Sequence, residues 1–396
     1  MKHRAHASHP VRTLIWCLLA SLAQVGMATV AASQDVDELA AIGERVSLAF
    51  NERQAGELGK LIDMEALATR VAATVSDNEK ERAEFARGFL MKAKSRQIVE
   101  QIFAQLEASE GSSTKFMRVL QRGAEPRPLV RFDWGDDGFE YMEFIVQRDR
   151  KGNLRIADWV PLSSGETFSS MLGSLARLAM EPAPGLVARV LGVQRIDPET
   201  IARMKRIAEL RKQGESRQAF EEMEKLPAEL ADSRPMLIQR ASLANESGDE
   251  ASYRRTLVRL EQLHGDHPSA AFMLLDHYFY AKDLRKCLQA IAAIEKQVGA
   301  DGMTHLLRAN IHSTMGMHAE AIADAREGIR LEPDFVNSYF TLAQAHIALG
   351  QFGDAVKVYS TLEEDFGYEF SRERFAADES FGKFVASAPF KTWLGK

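Results

Sequence analysis

Five positions spaced 34 residues apart, Gly214, Gly248, Lys282, Gly316 and Gly350, punctuate the second half of the chain, and helix-sized segments flank each of them. A recurrence of that length marks stacked helix-turn-helix units, because one such hairpin cannot bury its apolar face alone and neighbours must share a continuous core. Arrays of this kind present extended surfaces to other proteins and seldom carry reaction chemistry. The period therefore constrains function as well as fold.

The residues around these points recur in register. Val336–Glu369 has Tyr339 at its fourth position, Leu342 and Ala343 at the seventh and eighth, Gly350 at the turn, then Phe352, Ala355 and Tyr359. Small residues at Ala343 and Ala355 let the two helices cross closely, and the turn glycine supplies backbone freedom. Gly302–Phe335 keeps Ala309, Gly316, Ala321 and Pro333. Pro268–Asp301 keeps Leu275, Tyr278, Leu284, Cys287 and Ile291 but has Lys282 at the turn. Arg234–His267 keeps Ala241, Gly248 and Leu257, with Tyr253 where a small residue is expected, and Thr200–Ser233 keeps Gly214, Ala219 and Met223. This pattern resembles the tetratricopeptide repeat family. The resemblance implies an all-α superhelix of five repeats over 200–369, closed by an apolar capping segment at 370–396 that carries Phe375, Phe381, Phe384, Phe390, Trp393 and Leu394.

In that family the concave groove is lined by the first helix of each unit. Carried over position by position, the groove residues are Phe272, Asp276, Phe279 and Tyr280 in the third unit, with Met303, Leu306, Asn310, Ser313 and Thr314 in the fourth. Asn337, Phe340, Gln344, Ile347 and Ala348 follow in the fifth. Aromatic rings beside amides suit a peptide, whose backbone Asn310 and Gln344 would bond. The alternative is that Phe272, Phe279 and Phe340 pack on an adjacent domain or on the array's own tail. Only Asn310 matches the basic clamp that some family members use for a terminal carboxylate, which disfavours chaperone-tail binding. Seven histidines fall between His264 and His346, but His305, His312 and His346 occupy packing positions, and the pair His264 and His267 is too few ligands for zinc. No metal and no cofactor is expected. Cys287, at a small-residue position, reads as a buried hydrophobe.

Ahead of the array the period changes. Apolar residues at helical spacing predict a helix from Val36 to about Gly59 and a second from Glu79 to Glu107. Thr114–Leu120, Leu129–Trp134, Phe139–Gln147 and Leu154–Val160 read as strands of an antiparallel meander, with turns at 135–138 and 149–153. An α+β domain over 36–165, two helices plus a curved antiparallel sheet, resembles the cone-shaped fold of the nuclear transport factor two-like superfamily. A helical linker over 166–199 contains the break at Glu181–Gly185, and Asp197 and Pro198 open the array. If the sheet encloses a pocket, Phe132, Trp134, Tyr141, Phe144 and Trp159 are its candidate lining, although strand aromatics are more often core.

Chemistry and address follow from composition. Residues 34–263 contain neither His nor Cys, so the commonest base and nucleophile are missing, and no Gly-rich phosphate loop is present. Asp136 and Asp137 beside Gly138 read as turn residues, and the ligand pattern of a calcium loop is absent. Lys2, Arg4 and Arg12 precede an apolar run from Leu14 to Ala32 that ends on small residues, the layout of a signal peptide over 1–33. Its removal takes away three positive charges and no acid from a chain of net charge −6, and such an acidic protein has little to offer a phosphate backbone. The sequence thus predicts a non-enzymatic, periplasmic or secreted scaffold that binds a protein or peptide, not nucleic acid, and meets the membrane only if the apolar run is retained. The alternative is a small-molecule-binding or hydrolytic first domain, with the array serving localisation.

Overall fold

The computed structural model describes residues 36–92, 112–134, 138–179 and 198–395, which fall into two compact units. The signal segment, the predicted helix beyond Lys92, the Asp136–Asp137 turn and the break at Glu181–Gly185 lie outside the described residues.

In the first unit, helix α1 (36–51) buries Leu39, Ile42, Val46 and Phe50 along one stripe. The predicted continuation to Gly59 is interrupted. The polar run Asn51–Gln54 has nothing to bury, Arg53 turns left-handed at φ 56°, and the chain restarts as α2 (Ala55–Leu61). The Asn51 side chain is drawn instead to the sheet, where it exchanges two 2.8 Å hydrogen bonds with the backbone N–H and C=O of Thr114. Helix α3 (Met64–Val75), which the sequence reading missed, starts where the Asp63 carboxylate accepts from Ala66 N and buries Leu67, Val71 and Val75. With α4 (Glu79–Lys92), the helical part ahead of the sheet is thus divided more finely than two helices.

Strands β1 (Ser113–Arg122), β2 (Glu125–Asp133), β3 (Phe139–Arg148) and β4 (Leu154–Pro161) form an antiparallel meander in chain order. Met117 and Ala157 are extra residues where the registers shift, and such bulges bend a sheet. Helix α5 (Phe168–Ala179) begins in the first unit: the Phe168 ring stacks on Trp159 at 4.1 Å, and Ser169 N donates to Asp158 Oδ1 at 3.0 Å.

The second unit is a row of helical hairpins. They comprise α6 (Pro198–Lys212) with α7 (Ser216–Met223), then, after the short α8 (Ala228–Ala231), α9 (Arg234–Glu246) with α10 (Glu250–His264). Next come α11 (Ala270–Tyr280) with α12 (Leu284–Val298), α13 (Gly302–Thr314) with α14 (His318–Leu331), and α15 (Val336–Ala348) with α16 (Phe352–Phe366). From α9 to α16 each helix packs on the next, and the first helices α13 and α15 also touch. Every turn of the 34-residue series has positive φ: Gly214 78°, Gly248 69°, Lys282 58°, Gly316 73° and Gly350 71°. Ala219, Cys287, Ala321 and Ala355 on the second helices, and Ala241, Ala309 and Ala343 on the first, are all buried where the helices cross. Burial pushes the Cys287 thiol up to about 11, so it stays protonated and packs as a small apolar group.

After α16 the chain wraps into α17 (Arg372–Ala376), a 3-10 turn, α18 (Gly382–Ala386) and α19 (Ala388–Leu394). Phe375, Phe384 and Phe390 are buried against Tyr359 and Leu362 of α16, with Phe381, Trp393 and Leu394 around them, and Trp393 stacks on Tyr359 at 5.5 Å. A terminal repeat has one apolar face with no neighbour, and this aromatic cluster covers it.

Lysine is the only non-glycine at the five turns, and a Cβ in the left-handed region costs about 1–2 kcal/mol. Lys282→Gly is expected to raise urea-unfolding stability by about 0.5–1 kcal/mol once the extra backbone entropy of glycine is subtracted, and Gly350→Ala to lower it by about 0.5–1 kcal/mol on the same balance. Phe384→Ala, which empties the centre of the cap, is expected to cost about 3–5 kcal/mol in the same measurement.

Candidate protein-binding face

The first helices of the hairpins carry the residues expected to line a groove, and the structure sorts them. On α11, Asp276, Phe279 and Tyr280 share one face at helical spacing, with Phe279 53% and Tyr280 47% exposed. Phe272, one turn earlier, is half-buried and engaged by neighbours. Rings of this size left in water normally find cover, so two adjacent ones mark an unusual surface.

Two residues of α10 complete this patch. Tyr253 occupies the position where the other repeats put a small residue, and its hydroxyl donates to Asp276 Oδ2 at 3.3 Å. The guanidinium of Arg254 lies 4.8 Å from the centre of the Tyr280 ring. Asp276 is open to solvent yet hemmed in by protein on several sides. That desolvation pushes its carboxyl above the usual range, and the Tyr253 hydroxyl only partly offsets it. Tyr253 was visible in the sequence as a misfit; Arg254 gave no signal.

The other positions differ. On α13, Asn310 and Thr314 are exposed, but Asn310 Oδ1 already accepts from the Thr341 hydroxyl of α15 at 3.1 Å. Thr314 bonds back to the Asn310 carbonyl. Met303 and Leu306 are buried, because α13 is packed by helices on both sides, and they are core rather than groove. On α15, Asn337 and Gln344 are exposed. Phe340 is not available: Tyr368 and Phe370, on the strand-like stretch after α16, pack edge-on against it at 5.2 and 6.3 Å. Ile347 likewise packs on the C-terminal cluster. At the last hairpin the protein's own tail covers the aromatic position.

His264, His267, His305 and His312 are tied into the repeat packing by hydrogen bonds. Asp324 accepts from Arg308 Nε at 2.7 Å, and His312 Nδ1 and His305 Nδ1 lie 2.8 and 3.3 Å from its oxygens. Burial alone would push this carboxyl up, but the hydrogen bonds of His305, Arg308 and His312 outweigh it and hold it below the ordinary range. His264 Nε2 is bonded to the Asp232 carbonyl and His267 Nδ1 to the Ser269 hydroxyl. Among the described residues no three His, Cys, Asp or Glu side chains are grouped to hold a metal ion.

Among the described residues, the aromatic side chains expected to line a pocket in the first unit are, Trp134 apart, packed as core. Strand alternation puts Phe132 and Phe144 on one face of the sheet with Met142, and Tyr141 on the other, where it meets Phe139 at 5.8 Å. Phe132, Tyr141, Phe144 and Trp159 are buried core, with Phe132 edge-on to Phe50 of α1. Trp134 follows the last residue of β2 and is half-buried. The space left between Phe144, Trp159, Phe50 and their apolar neighbours is about 20 Å³, room for a single water and not a substrate, and no carboxylate lines it.

Residues 304–335 match the family model described as tetratricopeptide repeat. Among solved structures, MamA from Desulfovibrio magneticus is 13% identical, covering 42% of this chain and 95% of its own, with a TM-score of 0.36. A tetratricopeptide repeat protein from Parabacteroides merdae is 18% identical, covering 57% and 81%, with a TM-score of 0.35. The TPR2AB domain of yeast Sti1, determined as a complex with pHSP90, is 15% identical, covering 55% and 92%, with a TM-score of 0.25. No curated protein sequence matches the chain.

A carboxyl whose folded pKa is raised holds its proton more tightly in the folded state, so it favours folding as pH falls and disfavours it as pH rises through the folded value. Asp276→Asn is therefore expected to raise the melting temperature at neutral pH. The gain should fade below about pH 3, where the wild-type carboxyl is neutral both folded and unfolded. Residues 304–335, which span most of the fourth hairpin, thus match the tetratricopeptide repeat model, and helical hairpins of similar length flank them.

Proposed function

We propose that this chain is an exported, non-enzymatic scaffold that holds a protein or peptide partner on a concave surface built from the first helices of its repeats. The observation that carries the reading is the exposed pair Phe279 and Tyr280 beside the half-desolvated carboxylate of Asp276. Binding hot spots concentrate in large aromatic side chains that lose their remaining water on docking, and a carboxylate kept short of hydration gains most from a cationic partner. The partner in this reading brings an apolar side chain and a Lys or Arg to α11, while Asn337 and Gln344 further along bond its backbone. No cofactor is needed.

Export rests on the N-terminal layout: three basic residues, an apolar run and a small-residue end. Expression in the native host followed by fractionation and N-terminal sequencing should find a chain starting near Ser33 in the periplasmic or secreted fraction. A cytosolic chain that begins at Met1 would overturn export. Binding is tested by recovering envelope proteins on tagged full-length protein and on Phe279→Ala/Tyr280→Ala. Both rings are exposed, so the fold should be retained, and the specific partner should drop by about tenfold or more. Unchanged recovery of every captured protein would sink the proposed face.

A further inference from the structure

The sheet of the first unit comes apart at one end. The β2–β3 ladder pairs Asp133 with Phe139 and runs only as far as Leu129 opposite Glu143. On either side pairing continues: β1–β2 reaches Arg122 opposite Glu125, and β3–β4 reaches Arg148 opposite Leu154. Pro126 and Pro128 lie on the departing stretch of β2, and neither has an N–H to give to a ladder. Where the strands part they leave a cleft of about 380 Å³, the size of a site for a small metabolite.

Three guanidiniums line it: Arg70 from α3, Arg127 from β2 and Arg148 from β3. Arg148 is anchored by Glu38 at 2.6 Å, and Arg127 by Glu125 at 3.0 Å and Glu143 at 3.4 Å. These ion pairs fix two of the heads in place. Nε of Arg127 is buried with no acceptor. Arg70 is half-buried and makes no hydrogen bond or ion pair among the described residues. A guanidinium short of both water and acceptors is a standing cost that an oxyanion removes, in the planar two-point geometry arginine favours. The rest of the wall is mostly apolar, with Leu39, Pro126, Ile145, Val146 and Leu154; Gln147 adds an amide, and Glu125 is the one carboxylate among the lining residues.

We infer that this cleft binds a small organic oxyanion, a carboxylate or phosphate head carried on a short apolar body, with Arg70 and Arg127 holding the head. The site is independent of the proposed protein-binding face and lies away from the buried aromatics of the sheet. It needs no metal and no covalent step.

Isothermal titration calorimetry on the full chain tests it with four probes: octanoate, octyl phosphate, inorganic phosphate and octanol. At least one of the two amphiphilic anions is expected to bind saturably, and which one does so names the head group. Phosphate alone and octanol should bind far more weakly. Arg70→Gln should weaken the anion by about tenfold or more, the loss typical of a charged hydrogen bond, without changing the melting temperature of the free protein, since Arg70 has no partner to lose. Leu154→Trp, which fills the cleft, should abolish binding and provides a second variant. Octanol binding as well as octanoate, equal affinity in Arg70→Gln, or no saturable binding by either anion would overturn the assignment.

Discussion

A left-handed turn every 34 residues is the constraint on which the second unit depends. An α-helix can reverse onto itself within three or four residues only if one of them takes positive φ, and all five turns do so, including the one that carries lysine. The reversal places the two helices of each hairpin so close that their contact residues must be small, and the buried alanines and Cys287 stand at those points. Turn and crossing are one device. Where the crossing position carries Tyr253 instead, its hydroxyl reaches out to Asp276.

A row of such hairpins ends on an unpaired apolar face, and the way this chain closes it shapes what remains for binding. The aromatic cluster from Tyr368 to Trp393 covers the last hairpin and reaches over Phe340. The exposed aromatic surface is left two hairpins earlier, at Phe279 and Tyr280.

The first unit illustrates how strand alternation decides chemistry. Alternation sends Tyr141 to the face opposite Phe132, Phe144 and Trp159, and all four are packed as core. The opening appears where the ladder fails, beside two prolines, and its lining is basic because Arg70, Arg127 and Arg148 arrive from three different elements. A site assembled from a helix and two strands has no sequence spacing of its own.

Local rules made much of this protein legible before any coordinates. The repeat turns, the small residues at the crossings and the four strands each depend on residues near in sequence, and they stand where the pattern puts them. Helix α3 escaped because its stripe of Leu67, Val71 and Val75 is short and its start rests on one aspartate cap. The groove positions were harder. Family register puts Phe279 and Ile347 at the same position of their repeats, and only the C-terminal cluster packed on Ile347 separates an exposed side chain from a covered one. By itself the sequence determined the hairpins and their order, since turn conformation and helical periodicity are set within a few residues. Tertiary structure alone decided which side chains face water, because burial is settled by segments far apart in the chain that meet only when it folds.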